Sequence, residues 1–368
     1  MIHGIYYQPI YLILVTVFSI VYYNKYASSK NIVYDNKRFA LFLAILFSIF
    51  IGFRPPFDVL SDTGGLVMYY QSAANDSFTF TWDTENFVFD NLLRGMSAFG
   101  FDYSIWLTII ASIYFIGRYV ACRKLFPRST NIAFLVFLGA LITYSSATNG
   151  FKAGAATTLF ICAIAYRDNL IVSVLLLFLS VGMHHAMFVC LIAYVIAHFY
   201  KKQNAYYCLW LLSLLLAIAH ITYFQSLFGS FSPDEKVGSY LSLDSGGWRT
   251  GMRYDFVLYS AVPIVQGWLH RKRYGALSNK YTFILNLYIL LNSVWMLCMY
   301  ANFTNRIAAL SWGLYPVVIM MPYFEKRENL DVYGTQGSNR GLSKTLLFNL
   351  LFTLFMQVIY YGLIKTNR

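Results

Sequence analysis

IGFRPPFDVLSDTGGLVMYY, residues 51–70, is the stretch in which a long apolar run first becomes polar. Arg54 and two prolines follow the apolar run, and the prolines end the predicted helix because proline cannot continue a helix interior. Asp58 comes next, and Asp62 precedes Thr63-Gly64-Gly65, a pattern that predicts a turn or a cap. We interpret residues 51–70 as the point where the chain leaves an apolar helix for a polar segment outside a membrane.

Apolar residues dominate the whole chain rather than one end of it. Of its 368 residues, 58% are hydrophobic and 12% are charged, whereas a soluble domain carries about 25% charged residues. The net charge of +12 is attributed to cytoplasmic loops, which collect Lys and Arg, and not to nucleic-acid binding. The cysteines have neither the paired spacing of disulfides nor the clustered His partners of a zinc site. We therefore expect a multi-span membrane protein with no metal, cofactor or nucleic-acid partner.

The apolar runs recur at lengths that suit membrane crossing, which takes about 20 apolar residues for each helix. The sequence predicts an all-α bundle of about twelve transmembrane helices, organised as one domain over residues 1–368. The predicted spans are residues 5–23, 39–53, 103–121, 131–148, 152–166, 169–182, 185–200, 205–224, 254–270, 281–301, 306–324 and 345–364.

The loops between these spans alternate in charge. One set, in which we count Arg118, holds nineteen of the 28 basic residues and only five of the 16 acidic ones. The positive-inside rule places that set in the cytoplasm and both termini outside. Two larger outer loops result, 54–102 and 225–253. Within the first loop, apolar residues from Phe87 to Phe99 recur at helical spacing, which predicts an amphipathic helix.

Three cations stand where helices begin on the predicted outer side: Lys152, Arg253 and Arg306. A cation is unfavourable at a helix N-terminus unless an anion joins it. Together they suit a doubly charged diphosphate, and Arg54 and Arg249 on the same side could add phosphate contacts. The alternative is that each cation extends to lipid headgroups.

The remaining outer polar residues include candidates for a general base. Asn149 directly precedes the predicted helix that carries Lys152, and it is placed to cap that helix. His184 and His185 form a pair in a tight outer hairpin. A histidine there could act as a general base, hydrogen-bond a phosphate of the substrate or simply be an exposed turn residue. Asp62 and Glu85 are alternative bases, although helix capping explains each carboxylate about as well.

Tyr69 and Tyr70 offer aromatic faces that suit sugar rings, and they suit an interfacial aromatic belt equally well. The chain contains no P-loop, no GxGxxG motif opening a βαβ unit, no HExxH and no GxSxG. It also lacks the DxD pairs that hold a metal-bound nucleotide sugar. A nucleotide-dependent soluble enzyme is therefore not indicated.

Short segments in a fixed order carry a resemblance that runs through most of the chain. They are Gly52-Phe53-Arg54, Asp58, Asp62, Tyr69-Tyr70, Glu85-Asn86-Phe87, Gly100-Phe101-Asp102-Tyr103, Asn149-Gly150-Phe151-Lys152, His184-His185-Ala186, Asn305-Arg306 and Tyr315-Pro316. The pattern resembles the EpsG-like, Wzy-type polysaccharide polymerases of bacterial envelopes. One departure is Lys152, which stands where the family usually has arginine and which lacks the planar guanidinium fork.

The resemblance implies a metal-independent membrane glycosyltransferase of the GT-C type in the bacterial inner membrane. It would transfer a growing glycan from undecaprenyl diphosphate to the sugar hydroxyl of an incoming lipid-linked repeat unit on the outer face. Membrane lipids, a chain-length regulator and a flippase of the same pathway are the other expected partners. Arg306, Arg253 and Lys152 would stabilise the leaving diphosphate, and a base among Asp62, Glu85 and His184 would take the hydroxyl proton.

Two other functional classes fit parts of the pattern. A flippase for the same lipid-linked units would suit twelve spans, but the sequence lacks the repeated halves of many transporters. Another outer-face transferase, either an O-antigen ligase or an acyltransferase, is the second alternative. A ligase shares the donor chemistry and differs only in its acceptor.

Overall fold

The computed structural model describes residues 2–28, 37–57, 61–230, 251–302, 304–324 and 336–360. Over these residues the secondary structure is helical and includes no strand, which confirms the all-α prediction. The helices are α1 Tyr7–Ser28, α2 Arg38–Gly52, α3 Ser61–Ser72, α4 Phe87–Ala98, α5 Tyr103–Leu125, α6 Thr130–Leu138, α7 Thr143–Thr148, α8 Phe151–Ala165, α9 Leu170–Met183, α10 Met187–Phe199, α11 Gln203–Ile218, α12 Tyr223–Ser230, α13 Tyr254–Tyr274, α14 Asn279–Leu297, α15 Thr304–Trp312, α16 Tyr315–Met320 and α17 Gln336–Leu354.

Several of these helices have the composition of membrane spans. Among the described residues, three helical segments are long and apolar enough to cross a membrane, namely Gly4–Ser28, Tyr103–Leu125 and Arg340–Val358. Five more helices, α2 and α8 to α11, are apolar but only 10–17 residues long. At 1.5 Å per residue they are shorter than the hydrocarbon core of about 30 Å. The helices are thus compatible with a membrane bundle, and the number of spans stays a prediction.

The chain forms two compact units. The first comprises Met1–Phe188 and Asn329–Arg368, and the second comprises Val189–Glu328. The candidate residues before α10 therefore belong to the first unit, and Arg253 and Arg306 belong to the second. The organisation of both units into a single membrane domain stays a prediction.

Small residues bring the helices of the first unit into close contact. A Cβ atom added at Gly52 would lie 2.6 Å from the Cα atom of Thr108, so α2 touches the backbone of α5. A Cβ atom at Gly117 would lie 2.6 Å from Cγ2 of Thr158, which joins α5 to α8 in the same way. The hydroxyl of Ser180 donates to the carbonyl of Ala156 on the antiparallel α8–α9 pair. Such small-residue contacts are typical of helix packing in membranes.

The predicted span 131–148 is not one helix, because it breaks between α6 and α7. Side chains from distant helices satisfy the carbonyls that the break releases. Tyr11 donates to the carbonyl of Leu138 at 2.7 Å, and Thr353 donates to that of Gly139 at 2.8 Å. An unsatisfied carbonyl in an apolar interior costs several kcal/mol. The break is therefore built into the packing of the unit.

The first polar segment contains more helix than its sequence suggests. The turn predicted at Thr63-Gly64-Gly65 is wrong, because these residues lie inside α3. Gly64 lets α3 approach the preceding loop, since a Cβ atom there would lie 3.2 Å from the carbonyl oxygen of Pro56. Helix α4 covers Phe87–Ala98, the stretch with helical apolar spacing, and it buries Phe89, Leu93 and Met96.

Arg118 also differs from its predicted place in a cytoplasmic loop. Its side chain is buried inside α5, where Nε donates to the hydroxyl of Thr158 at 3.0 Å. The guanidinium lies over the ring of Phe137, 4.9 Å from its centroid. Arg118, which we counted with the predicted cytoplasmic basic residues, is thus part of the packed interior of the first unit.

The second unit is held by buried polar side chains between its helices. The indole of Trp210 donates to Asn292 at 2.8 Å, and Asn292 donates to the hydroxyl of Ser311 at 3.1 Å. Trp312 donates to the hydroxyl of Ser260 at 2.8 Å. These bonds join α11, α14, α15 and α13, because polar groups buried in an apolar interior require partners.

The contact between α2 and α5 gives a direct test of the packing. We predict that Gly52→Ala lowers the stability of the purified protein by about 1–3 kcal/mol, because the added methyl group overlaps the backbone at Thr108. The measurement is thermal unfolding in detergent. Gly65→Ala is the matched control in a helix, because no atom lies within 4 Å of its added Cβ. Equal melting temperatures for Gly52→Ala and the unchanged protein would contradict this packing.

Candidate active site

Arg54 is the buried centre of the polar cluster in the first unit. Its side chain is 2% exposed, two residues beyond the end of α2. Nη1 donates to the carbonyl of Ile51 at 2.9 Å. Nη2 donates to the carbonyl of Thr148 at 3.0 Å and to the hydroxyl of Thr63 at 3.3 Å. The guanidinium therefore joins the end of α2, the start of α3 and the end of α7.

The charge of Arg54 is held among neutral partners. Its guanidinium lies 5.0 Å from the ring centroid of Phe151, at the start of α8. Burial lowers the pKa of Arg54 to about 10, so the group remains a cation at neutral pH. None of the carboxylates in the described part of the chain forms an ion pair with it. Its buried Nε atom has no hydrogen-bond partner among those residues.

Asp62 and Asn149 fasten α3 to the turn between α7 and α8. The side-chain oxygen of Asn149 accepts the backbone N–H of Asp62 at 3.2 Å, and its nitrogen donates to the Asp62 carboxylate at 3.3 Å. The hydroxyl of Thr63 adds a bond to the carbonyl of Thr148 at 2.8 Å. The prediction that Asn149 caps α8 is wrong, because Gly150 holds that position and Asn149 binds Asp62 instead.

Lys152 extends this cluster along the first turn of α8. Its Nζ atom lies 5.3 Å from the ring centroid of Phe89, on α4. Lys152 also interacts electrostatically with Asp90, whose pKa is raised by burial and lowered in part by Lys152. Phe89 and Phe151 both pack against the buried ring of Trp106, at 5.7 Å in each case. The rings of Phe89, Trp106 and Phe151 therefore form an aromatic cluster at the start of α8.

The two predicted sugar-stacking tyrosines have different surroundings. Tyr70 is 3% exposed, its ring stacks on Trp106 at 5.2 Å, and its hydroxyl donates to the carbonyl of Phe101 at 2.8 Å. Burial raises the pKa of Tyr70 to about 12. Tyr69, in contrast, is 50% exposed. Of the pair, Tyr69 presents its ring at the surface, whereas Tyr70 packs against Trp106 in the aromatic cluster.

The histidine pair lies against the segment that precedes α4. Helix α9 ends at Met183, and both histidines are half-buried in the hairpin that follows. The side-chain oxygen of Asn86 accepts the backbone N–H of His185 at 2.9 Å and lies 3.4 Å from Nδ1 of His184. Glu85, the neighbouring candidate base, is exposed. The structure thus brings Glu85 and the histidines to one end of the first unit.

The predicted cations of the second unit are arranged differently from each other. Arg253 precedes α13 and binds the carboxylate of Asp255 through two bonds, Nε to Oδ1 at 3.0 Å and Nη2 to Oδ2 at 2.7 Å. Its guanidinium also lies 3.6 Å from the ring centroid of Phe256. Arg306 lies in the first turn of α15 and is exposed. Arg249 and Asp58 fall outside the described residues.

Some residues of the cluster were not singled out from the sequence. Thr63 and the carbonyl of Thr148 complete the surroundings of Arg54, and Asp90 interacts electrostatically with Lys152. Asn86 was visible only as part of a matching segment beside Glu85. Its place directly before an apolar helix was the available signal, but that signal predicts an ordinary helix cap. Among the residues described, no group of three or more His, Cys, Asp or Glu side chains is arranged to hold a metal ion.

Comparison with known proteins assigns the chain to a family. No curated protein and no solved structure matches it. The sequence model of the EpsG family, however, matches residues 37–365. That match includes every element of the polar cluster in the first unit and both described cations of the second. The protein therefore belongs to the EpsG family.

Proposed function

We propose that this protein is a membrane polysaccharide polymerase. It would transfer a growing glycan from undecaprenyl diphosphate to the sugar hydroxyl of an incoming lipid-linked repeat unit, on the outer face of the membrane. Membership of the EpsG family indicates a polysaccharide polymerase-like role in exopolysaccharide or O-antigen biosynthesis. The apolar helices indicate a membrane protein, as that role requires.

The observation that carries the proposal is the buried charge of Arg54. A buried cation is costly unless an anion or strong hydrogen bonds compensate it. Arg54 has carbonyl and hydroxyl partners, but no ion pair with any described carboxylate, and its Nε–H is unused among those residues. A guanidinium with an N–H available suits a phosphate oxygen. We propose that the diphosphate of the donor lipid supplies a negative charge to Arg54, which has no ion pair among the described residues.

Lys152 supports the same assignment from the start of α8. The N-terminus of a helix carries free N–H groups and partial positive charge, so it favours an anion. Asn149 and Asp62 fix the backbone that leads into this helix. We propose that Arg253, Arg306 and Arg249 are also phosphate-binding cations, and that Asp255 sets the orientation of Arg253.

The proposed reaction is a glycosyl transfer without a covalent enzyme intermediate. The acceptor hydroxyl oxygen forms a bond with the anomeric carbon of the donor sugar. The bond from that carbon to the phosphate oxygen breaks, and the diphosphate leaves with the electron pair. Cationic side chains stabilise the charge that develops on the leaving group. The hydroxyl proton goes to a base among Asp62, Glu85 and His184.

The finer features of the architecture belong to the same proposal. They are a GT-C-like bundle of about twelve spans in the bacterial inner membrane, with both termini and the loops 54–102 and 225–253 outside. Side-chain cations take the role that a metal ion has in nucleotide-sugar transferases, so no cofactor is needed. The exposed ring of Tyr69 is proposed to contact glycan. Lipid-linked oligosaccharide, membrane lipids, a flippase and a chain-length regulator are the proposed partners.

Purified protein in lipid nanodiscs tests this function directly. Supplied with undecaprenyl-diphosphate-linked repeat units, the unchanged protein is expected to produce a ladder of glycan lengths. Arg306→Ala should lower the rate by about 10²–10³, the usual loss for a group that stabilises developing charge. Arg340→Ala is the matched control, because Arg340 is also an exposed helical arginine and lies in the predicted cytoplasmic set.

Two results of that assay would contradict the proposal. One is full-length polymer from Arg306→Ala at the unchanged rate. The other is the absence of any ladder with the unchanged protein, combined with accumulation of repeat units inside cells that lack it. The second result would favour a flippase, since loss of a polymerase leaves single repeat units on the outer product.

The position of Lys152 supplies a second prediction. Lys152→Met removes the charge beside Asp90, and we expect the rate to fall by at least tenfold while the protein still folds. Lys152→Arg keeps the charge, adds a planar fork for phosphate and should retain activity. Polymerisation rate and thermal unfolding are measured together. Equal activity of the Met and Arg variants would exclude a role for this charge in diphosphate binding.

A further inference from the structure

The segment before α4 alternates aromatic and threonine side chains, and its aromatic rings lie at the surface. Residues 78–82 read Phe-Thr-Phe-Thr-Trp, and they lie between helices. In an extended chain, side chains two residues apart point to the same side. In agreement with this, the ring centroids of Phe80 and Trp82 are 4.9 Å apart. Trp82 is 64% exposed and Phe80 is 53% exposed, so the alternation produces an exposed aromatic face.

Hydrogen bonds to α4 fix this segment in place. The side-chain oxygen of Asn91, which is buried, accepts the backbone N–H of Thr81 at 3.0 Å, and its nitrogen donates to the carbonyl of Thr81 at 2.7 Å. Farther along α4, a Cβ atom added at Gly95 would lie 3.3 Å from the ring of Phe78. Both backbone groups of the residue between the two exposed rings are therefore bound. The exposure of the rings thus belongs to the folded structure.

The exposed rings continue an apolar surface of α9. Trp82 packs against Phe87 with their centroids 4.9 Å apart, and Phe87 packs against Phe178 of α9 at 5.2 Å. Phe178 is 50% exposed. It belongs to a stripe of exposed apolar side chains on α9, which also includes Leu170, Ile171, Val174 and Leu175. An exposed apolar surface of this extent on an apolar helix is typical of contact with membrane lipid.

Tight packing between α4 and α9 holds the rings against this stripe. A Cβ atom added at Gly182 would lie 2.5 Å from the ring of Phe87 and 2.7 Å from Cγ2 of Val88. The first turn of α4 therefore lies directly on the last turn of α9. At 1.5 Å per residue, Phe178 is about 8 Å from the end of α9 at Met183. The exposed rings consequently extend the apolar stripe at the end of the helix rather than at its middle.

We propose that Phe80 and Trp82 form a membrane anchor that inserts into the headgroup region of the phospholipid bilayer. Lipid is the occupant because the two rings are continuous, through Phe87, with the apolar stripe of α9. Tryptophan is enriched at this depth because its ring is apolar and its N–H is polar. Asp83 and Glu85 follow the anchor and are exposed, so they remain in water.

The anchor gives the first polar segment a defined depth. With Trp82 at the headgroups, the start of α4 lies at the membrane surface, and Glu85 lies beside it. The inference requires a membrane around α9, but it does not depend on the polymerase reaction. Aromatic faces also bind sugar rings, so lipid and glycan have to be separated by experiment.

The test is the accessibility of a nitroxide label to oxygen, which concentrates in the apolar part of a bilayer, and to a nickel chelate, which stays in water. The label is attached at Phe80→Cys in phospholipid nanodiscs without glycan. The exposed Cys208 is replaced by serine, and the other four cysteines are buried. The ratio of oxygen to nickel accessibility at position 80 should exceed that at position 79 by about threefold or more. Thr79→Cys is the matched control, because Thr79 is exposed and lies on the other side of the alternating segment.

The contribution of Trp82 is measured in the same labelled protein. Adding Trp82→Ala should lower the ratio at position 80 toward that of position 79, whereas Trp82→Tyr should retain it. Equal ratios at positions 79 and 80 with Trp82 present, or a ratio that Trp82→Ala leaves unchanged, would overturn the inference. Protection of position 80 from the nickel chelate only after lipid-linked glycan is added would identify a glycan site instead. A protein that made no polymer would contradict the proposed function and leave the expected ratios as they are.

Discussion

The hydrogen bonds of Arg54 place the rest of the polar cluster. The last carbonyls of a helix have no partner within that helix, and Arg54 donates to such carbonyls at Ile51 and Thr148. Thr63 donates to the same oxygen of Thr148, so α3 is tied to the point where α7 ends. The backbone that enters α8 is thereby fixed, and with it the position of Lys152. Arg54 thus has a structural role within a buried hydrogen-bond network as well as a proposed role in binding diphosphate.

Carbonyls that lack a helical partner also need hydrogen-bond donors where the backbone between α6 and α7 is irregular. Between α6 and α7 the helical bonds stop, and side chains from elsewhere in the first unit replace them. Asn349 donates to the carbonyl of Val136 at 2.8 Å, and Gln357 donates to that of Leu141 at 3.3 Å. Non-helical backbone at membrane depth is tolerated where neighbouring protein satisfies it. α7 follows the break and ends at Thr148, directly before Asn149 and α8.

Sequence patterns predicted the helical class, but not how the polar residues of the first unit contact each other. Asp62 and His184 were predicted to lie in outer loops, whereas Asp62 lies in the first turn of α3. Helix α3 was missed because Gly64 reads locally as a turn, and only the approach to Pro56 explains a glycine inside a helix. The α6–α7 break was missed because its partners lie far away in the sequence: 127 residues separate Tyr11 from Leu138, and 214 separate Thr353 from Gly139. Such long-range contacts leave no local periodicity to detect.

Localising the donor lipid tests most directly whether a diphosphate compensates the charges of Arg54 and Lys152. The experiment is a density map of the protein in nanodiscs with undecaprenyl diphosphate bound. We predict diphosphate density against the Nε atom of Arg54 and the ammonium of Lys152. Diphosphate density at the loops that contain Lys201 and Arg273, on the predicted cytoplasmic side, would contradict it, as would a phosphate site that contacts neither Arg54 nor Lys152.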